Sequence, residues 1–223
     1  MRKKLRFYKQ HSMETCGAAC VLMLLDYYNM ITYPTPSMEV AVYSHHKVNG
    51  YKGMTGAAVA NCLSDPKEAL KKYLTNPKKA LDVHLVQSFE EEMDNRGDLF
   101  SQEDYEKIVE SHLMHLKKCK DRIQLTTGMD FDTEFLKQEL TAGKKIVLEC
   151  FIPEVEDGPP SVLHWVILEN YDAQSGLFRV RNPNPRVKLL HHTAAELEGY
   201  MDTPIGRICV VVGEKTEKQE AFW

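Results

Sequence analysis

The sequence predicts an α+β domain in which a fully buried helix packs against an antiparallel sheet. Three observations carry this expectation. Residues 16–29 (CGAACVLMLLDYYN) are apolar around nearly the whole helical circumference until Asp26, the mark of a helix inside a domain rather than on its surface. Strand chemistry is confined to the second half of the chain, at 145–152 (KIVLECFI), 161–171 (SVLHWVILENY), 176–182 (GLFRVRN) and 207–213 (RICVVVG). Helical patterns dominate the first half, and helices followed by strands make an α+β arrangement.

The remaining elements follow from local chemistry. Residues 32–37 (TYPTPS) read as a loop, because Pro34 and Pro36 forbid continuing the helix. Residues 55–63 (TGAAVANCL) read as a short helix with Thr55 as N-cap. From Ser64 to Leu125 the chain is charged and helical in period, through KEALKKYL, SFEEEMD and the stretch from Glu103 to Arg122. Ser64, Asn76 and Ser101 are its candidate caps, and Pro66, Pro77 and Gly97 punctuate it. This predicts a helical insertion packed on the core. Residues 132–142 predict another helix, stopped by Gly143, and Ala194 to Met201 a short one between the last two strands. The organisation expected is a single domain over 1–213, with 64–125 as the insertion and 214–223 as a polar tail.

Composition narrows the function classes. A hydrophobic fraction of 43% supports a true core. The net charge is −4 and no basic run exceeds Arg2-Lys3-Lys4, which argues against a nucleic-acid partner. The six cysteines form no C-x-x-C pair and are too sparse for a disulfide framework, so reduced thiols and a cytoplasmic location are expected. The apolar run Gly17 to Leu25 is too short to span a bilayer. It is a poor signal-peptide core as well: Gln10, His11, Ser12 and Glu14 separate it from the basic start, and no small-residue cleavage site follows.

Cys16 opens the buried helix. A free thiol has a pKa of about 8.5, and a helix N-terminus lowers it, because unpaired N–H groups and the helix dipole favour the anion. Gly17 keeps the approach uncrowded. Gln10, six residues upstream, can fold its amide beside the thiol and form an oxyanion hole with the Cys16 N–H. Taken alone, Cys16 is better explained as a small buried residue.

A base would change that balance. His164 stands in an apolar strand on one face with Val162, Val166 and Leu168, where a lone histidine is more often a hydrogen-bonded core residue. The turn at 172–176 brings the chain back beside it. If Tyr171 pairs with Leu177, Asn182 falls opposite Val166 and Asn184 opposite His164; a tighter turn sets Asn182 directly opposite His164. In both registers His164 and Asn182 share a face as opposite or diagonal neighbours, and a one-residue bulge would break that parity. An amide oxygen there accepts the imidazole N–H and fixes its tautomer.

The run Gln10 to Cys20 (QHSMETCGAAC) resembles the glutamine-to-cysteine signature of the bacteriocin-processing, double-glycine-leader peptidases, which are papain-like cysteine peptidases often fused to export transporters. Leu163 to Tyr171 (LHWVILENY) resembles their histidine strand, and Arg181-Asn182-Pro183 their orienting Asp-Pro. The match covers roughly 5–63 and 130–213. The resemblance implies a papain-like α+β fold with Gln10 as oxyanion residue, Cys16 as nucleophile, His164 as base and Asn182 as orienter. Two departures stand out: the usual aspartate is Asn182, and segment 64–125 has no counterpart in compact members. No G-x-x-x-x-G-K-[ST] loop occurs in this chain.

Other groups carry less. His112, His115 and Cys119 share a helix face but lack a fourth metal ligand, so a solvated face is expected. His45-His46 and His191-His192 read as surface or loop pairs, Cys20 as core and Glu90-Glu91-Glu92 as a solvated face. No metal or cofactor is called for. The leading expectation is a cysteine peptidase or amide hydrolase acting on a peptide-like substrate. An acyltransferase would use the same residues, with an acyl-thioester substrate and an amine acceptor. A non-catalytic binding module is disfavoured, since it has no need of all four residues.

Overall fold

The structure, a computed structural model, describes residues 4–49, 52–88, 101–153, 160–184 and 190–215. Helix α1 (Cys16–Tyr27) is buried over almost its entire length, as its sequence requires. Helix α2 (Pro36–His46) follows the proline-rich loop. Here the structure differs from the sequence reading: Pro36 starts a helix instead of ending a loop, because proline suits the first helical position, and the Thr35 side chain caps it. Helix α3 (Gly56–Ser64) is capped by Thr55 as expected, and a single turn, α4 (Lys67–Leu70), comes next.

The segment 64–125 also differs from the expectation of helix throughout. It holds the capped helix α5 (Gln102–Cys119), with Ser101 as N-cap, but it also supplies strands β1 (Leu81–Gln87) and β2 (Gln124–Thr127). Ser64 ends α3 instead of capping a helix. Most of SFEEEMD, including Glu90 to Glu92, lies outside the described residues, as does the tail beyond 215. Helix α6 (Thr133–Thr141) is capped by Asp132 and followed by Gly143 at φ +88°, a left-handed conformation suited to glycine. Strands β3 (Lys145–Pro153), β4 (Pro160–Asp172) and β5 (Leu177–Arg181), the short β6 (His191–His192), helix α7 (Ala194–Met201) and strand β7 (Ile208–Glu214) complete the chain.

The sheet runs β2-β1-β7-β3-β4-β5-β6. Among the described residues only β1 and β2 pair in parallel. Strand β1 is hydrogen-bonded along its whole length to β7, so segment 64–125 extends the sheet itself. One sheet face, with Val147, Trp165, Ile167 and Val210, packs on a core built from α1, α2 and α3. The other, with Leu148, Val166, Leu168 and Val180, packs on α6 and α7. Among the described residues no helix is long and apolar enough to cross a membrane.

The β4–β5 hairpin sets the register that matters for function. Near the turn, Tyr171 pairs with Phe178 and Asp172 with Leu177, which is one residue out of the parity that would align His164 with Asn182. A bulge at Glu169 absorbs the extra residue, and beyond it Leu168 pairs with Val180 and Ile167 with Arg181. Continuing by one residue sets Asn182 beside Val166, the diagonal neighbour of His164. The bulge restores the alignment that it was expected to spoil. Glu169 is held by Arg181 at 2.8 Å and Arg179 at 3.1 Å, two cations of the facing strand.

Candidate active site

Cys16 begins α1 where that helix meets β4. The Trp165 backbone N–H favours the anionic form of its sulfur, and one turn further on the Cys20 thiol donates to the Trp165 carbonyl at 3.4 Å. The indole of Trp165 donates to the Met54 carbonyl at 2.9 Å and lies against Gly17, where an added Cβ would sit 3.3 Å from the ring. The start of α1 is thereby packed on Trp165, the residue that follows His164 on β4.

The tautomer of His164 follows from its partner. Asn182 Oδ1 lies 2.7 Å from His164 Nε2 and also accepts the Asn184 backbone N–H at 2.8 Å. A backbone N–H can only donate, so the atom facing both groups must be the amide oxygen. Nε2 therefore carries the proton and Nδ1 the lone pair, the state a base requires. The structure brings Asn182 and not Asn184 to the imidazole. The Asn184 side chain lies by the Met13 sulfur instead, and its backbone fixes the Asn182 amide.

Gln10 is buried in the loop leading into α1. Its backbone N–H donates to the Pro183 carbonyl at 3.1 Å, tying this loop to the segment that carries Asn182. Its side-chain Nε2 donates to the Ser12 carbonyl at 2.8 Å, within the turn that precedes Cys16, so one amide N–H remains for a ligand.

Glu39 of α2 organises the same loop from beneath. Its carboxylate accepts the Tyr8 hydroxyl at 2.7 Å, His11 Nδ1 at 2.8 Å and the His11 backbone N–H at 2.9 Å, and it also meets the Thr15 hydroxyl. Thr15 is the residue before Cys16. No local signal marks Glu39 in the sequence, because its partners lie far away along the chain. Trp165 and Glu149, a lone acid in the apolar strand β3, are two further residues at the site that motif reading did not single out.

Burial reverses one expectation. Desolvation pushes the Cys16 thiol up to about 11, against the downward pull of the Trp165, Gly17 and Cys16 backbone N–H groups. Desolvation likewise lowers His164 to about 4, against the Asn182 bond. The helix N-terminus alone was expected to lower the thiol, but the loss of water outweighs it. The resting pair is thus neutral thiol and neutral imidazole. All six cysteines are unpaired.

Several other readings change. His112, His115 and Cys119 do not form a solvated face: all three are buried where α5 packs on α3. His46 is no surface residue either; it is buried, with its ring 5.4 Å from that of His115. His192 is also buried, in β6, while His45 and His191 are exposed. Among the described residues no group of three or more His, Cys, Asp or Glu is placed to hold a metal ion.

The structure resembles that of a protein from Bacillus anthracis described as C39-like peptidase, with a TM-score of 0.50 and 13% identity, over 96% of this chain and 97% of that one. A second similar structure is the peptidase domain of Streptococcus ComA, a bifunctional ABC transporter involved in a quorum-sensing pathway. It has a TM-score of 0.48 and 11% identity, over 95% of this chain and all of that one (100%). No curated protein matches the chain. The model of the Peptidase C39-like family matches residues 2–200. The chain therefore belongs to the Peptidase C39-like family of papain-like cysteine peptidases.

Proposed function

We propose that the protein hydrolyses an amide bond of a peptide-like substrate through an acyl-enzyme on Cys16. The observation that carries this reading is the hydrogen bond from His164 Nε2 to a fixed Asn182 oxygen, on a strand whose next residue, Trp165, packs against Gly17 at the start of α1.

In the first half-reaction the Cys16 sulfur attacks the scissile carbonyl as its proton passes to His164 Nδ1. Because the resting pair is neutral, proton transfer and attack proceed together instead of starting from a preformed ion pair. The imidazolium hands that proton to the departing amine, and the C–N bond breaks to leave a thioester. The second half-reaction repeats the sequence with water: His164 takes its proton as the oxygen adds to the thioester, the C–S bond breaks to release the carboxylic acid, and the imidazolium returns the proton to the Cys16 sulfur. The remaining Gln10 amide N–H and the Cys16 backbone N–H supply donors to the carbonyl oxygen as it gains charge. Asn182 Oδ1 accepts the hydrogen bond from Nε2–H throughout and favours the imidazolium.

A peptide library separated by mass spectrometry after incubation tests the reading. Cleavage by the wild type that disappears in both Cys16→Ala and His164→Ala supports it. Cleavage that survives Cys16→Ala contradicts it.

A further inference from the structure

Four acidic side chains are buried among the described residues: Asp26, Glu39, Glu149 and Glu169. Asp26 is held by the Arg6 guanidinium, Glu39 by its ring of donors, and Glu169 by Arg179 and Arg181. Glu149 differs. It is 3% exposed, and its Oε2 makes no hydrogen bond. A buried carboxyl oxygen without a partner is costly and calls for a reason.

Its position supplies one. Glu149 stands directly opposite Trp165 in the β3–β4 ladder, and opposed residues point to the same face. That is the face packed against α1, where the Trp165 ring lies on Gly17 and the Trp165 carbonyl accepts the Cys20 thiol. The Glu149 carboxylate is close enough to act electrostatically on Cys16, opposing its ionisation.

We propose that Glu149 is an electrostatic gate on the nucleophile: as a neutral acid it lets Cys16 surrender its proton, and as a carboxylate it holds Cys16 in the thiol form. The proposal rests on Cys16 being the nucleophile. Glu149 acts through Cys16 and is a positioning residue. The thiol proton passes to His164, and Glu149 keeps its own.

The titratable groups around the pair leave Glu149 alone in the relevant range. Cys20 on α1 and Cys150 on β3 are both raised by burial, Tyr43 on α2 is raised to about 12, and His164 on β4 is lowered to about 4. Burial alone raises Glu149 to about 8. Between pH 6 and pH 9 the gate is thus the one among these groups to change charge, and the site favours the acid side of that interval.

Alkylation of Cys16 by iodoacetamide, with rates read by peptide mapping from pH 6 to pH 9, tests this without any substrate. Wild type and Glu149→Gln, an isostere of the neutral acid, should react alike at pH 6. At pH 9 the variant should be faster by about tenfold, the effect of a coupling worth one pKa unit. A wild-type measurement guards against misfolding of the variant. At pH 7 exposed carboxyls are ionised, so an infrared carboxylic-acid band that persists there and vanishes by pH 9 reports Glu149 directly. That midpoint should match a bend in the wild-type alkylation profile. Parallel profiles, or no such band at pH 7, overturn the gate and leave the nucleophile standing. Cys16 unlabelled at every pH contradicts the nucleophile assignment, and the gate falls with it.

Discussion

Asn182→Ala tests the arrangement of the site where its geometry is best defined. The substitution removes the oxygen that accepts both His164 Nε2 and the Asn184 backbone N–H, groups buried with the residues that carry them. An unsatisfied buried donor costs about 1–3 kcal/mol, so the loss of stability is about 2–4 kcal/mol once some relaxation is allowed. The catalytic effect is separate. A hydrogen bond to a neutral donor contributes about 1 kcal/mol and one to a charged donor about 1.5–3, so the bond strengthens by about 0.5–2 kcal/mol as imidazole becomes imidazolium. That difference corresponds to a loss in kcat of roughly two- to thirtyfold with KM little changed. Steady-state kinetics on a peptide found by the library assay, with urea titration run in parallel, separates the two effects. Asn182→Asp should retain activity and shift the acid limb of the profile upward, since a carboxylate stabilises imidazolium. If Asn182→Ala keeps kcat within twofold of wild type, Asn182 does not orient the base.

Three further outcomes are expected. Glu39→Gln replaces one acceptor oxygen with a donor and leaves some of the Tyr8, His11 and Thr15 groups unpaired; kcat should fall about tenfold or more as the loop before Cys16 loosens, with Asn182-dependent changes remaining measurable on top. His46, His112 and His115 are all lowered by burial to about 4 from an ordinary 6.5. A depressed histidine contributes stability above pH 6.5 that is lost as pH falls towards 4, by about 3 kcal/mol for a single buried ring. The urea midpoint should accordingly drop across that interval, and His46→Asn should flatten the drop. Gly206→Ala should lower Tm by several degrees, because φ is +88° and the new Cβ would lie 2.5 Å from the Ser88 carbonyl oxygen. In contrast, Gly199→Ala in α7 meets nothing within 4 Å and should raise Tm slightly.

Much of the fold was legible where the determinants are local. Thr55 and Ser101 cap helices at the positions their chemistry predicts, and α1 is buried because no polar stripe exists along it. Strand β1 was hidden. LDVHLVQ sits among charged helical patterns, and what makes it a strand is its ladder with Ile208–Glu214, which is distant in sequence. The burial of His46, His112 and His115 has the same origin, since it depends on α5 docking on α3. The His164–Asn182 neighbourhood was reached by parity, yet the parity is produced by a bulge at Glu169 and its two arginines, a feature without a local signature. The thiol of Cys16 was misread in direction for a related reason: helix position is visible in a sequence, whereas the depth of burial is a property of the whole packed domain.

The central claim is that Cys16 carries the acyl group. Rapid acid quenching of the enzyme with a cleavable peptide, followed by intact mass measurement and mapping, tests it most directly. The account predicts a mass increase equal to the acyl portion of the substrate, located on the peptide containing Cys16 and absent in Cys16→Ser. Product formation with the adduct on another cysteine, or with no adduct under conditions that slow deacylation, would contradict it.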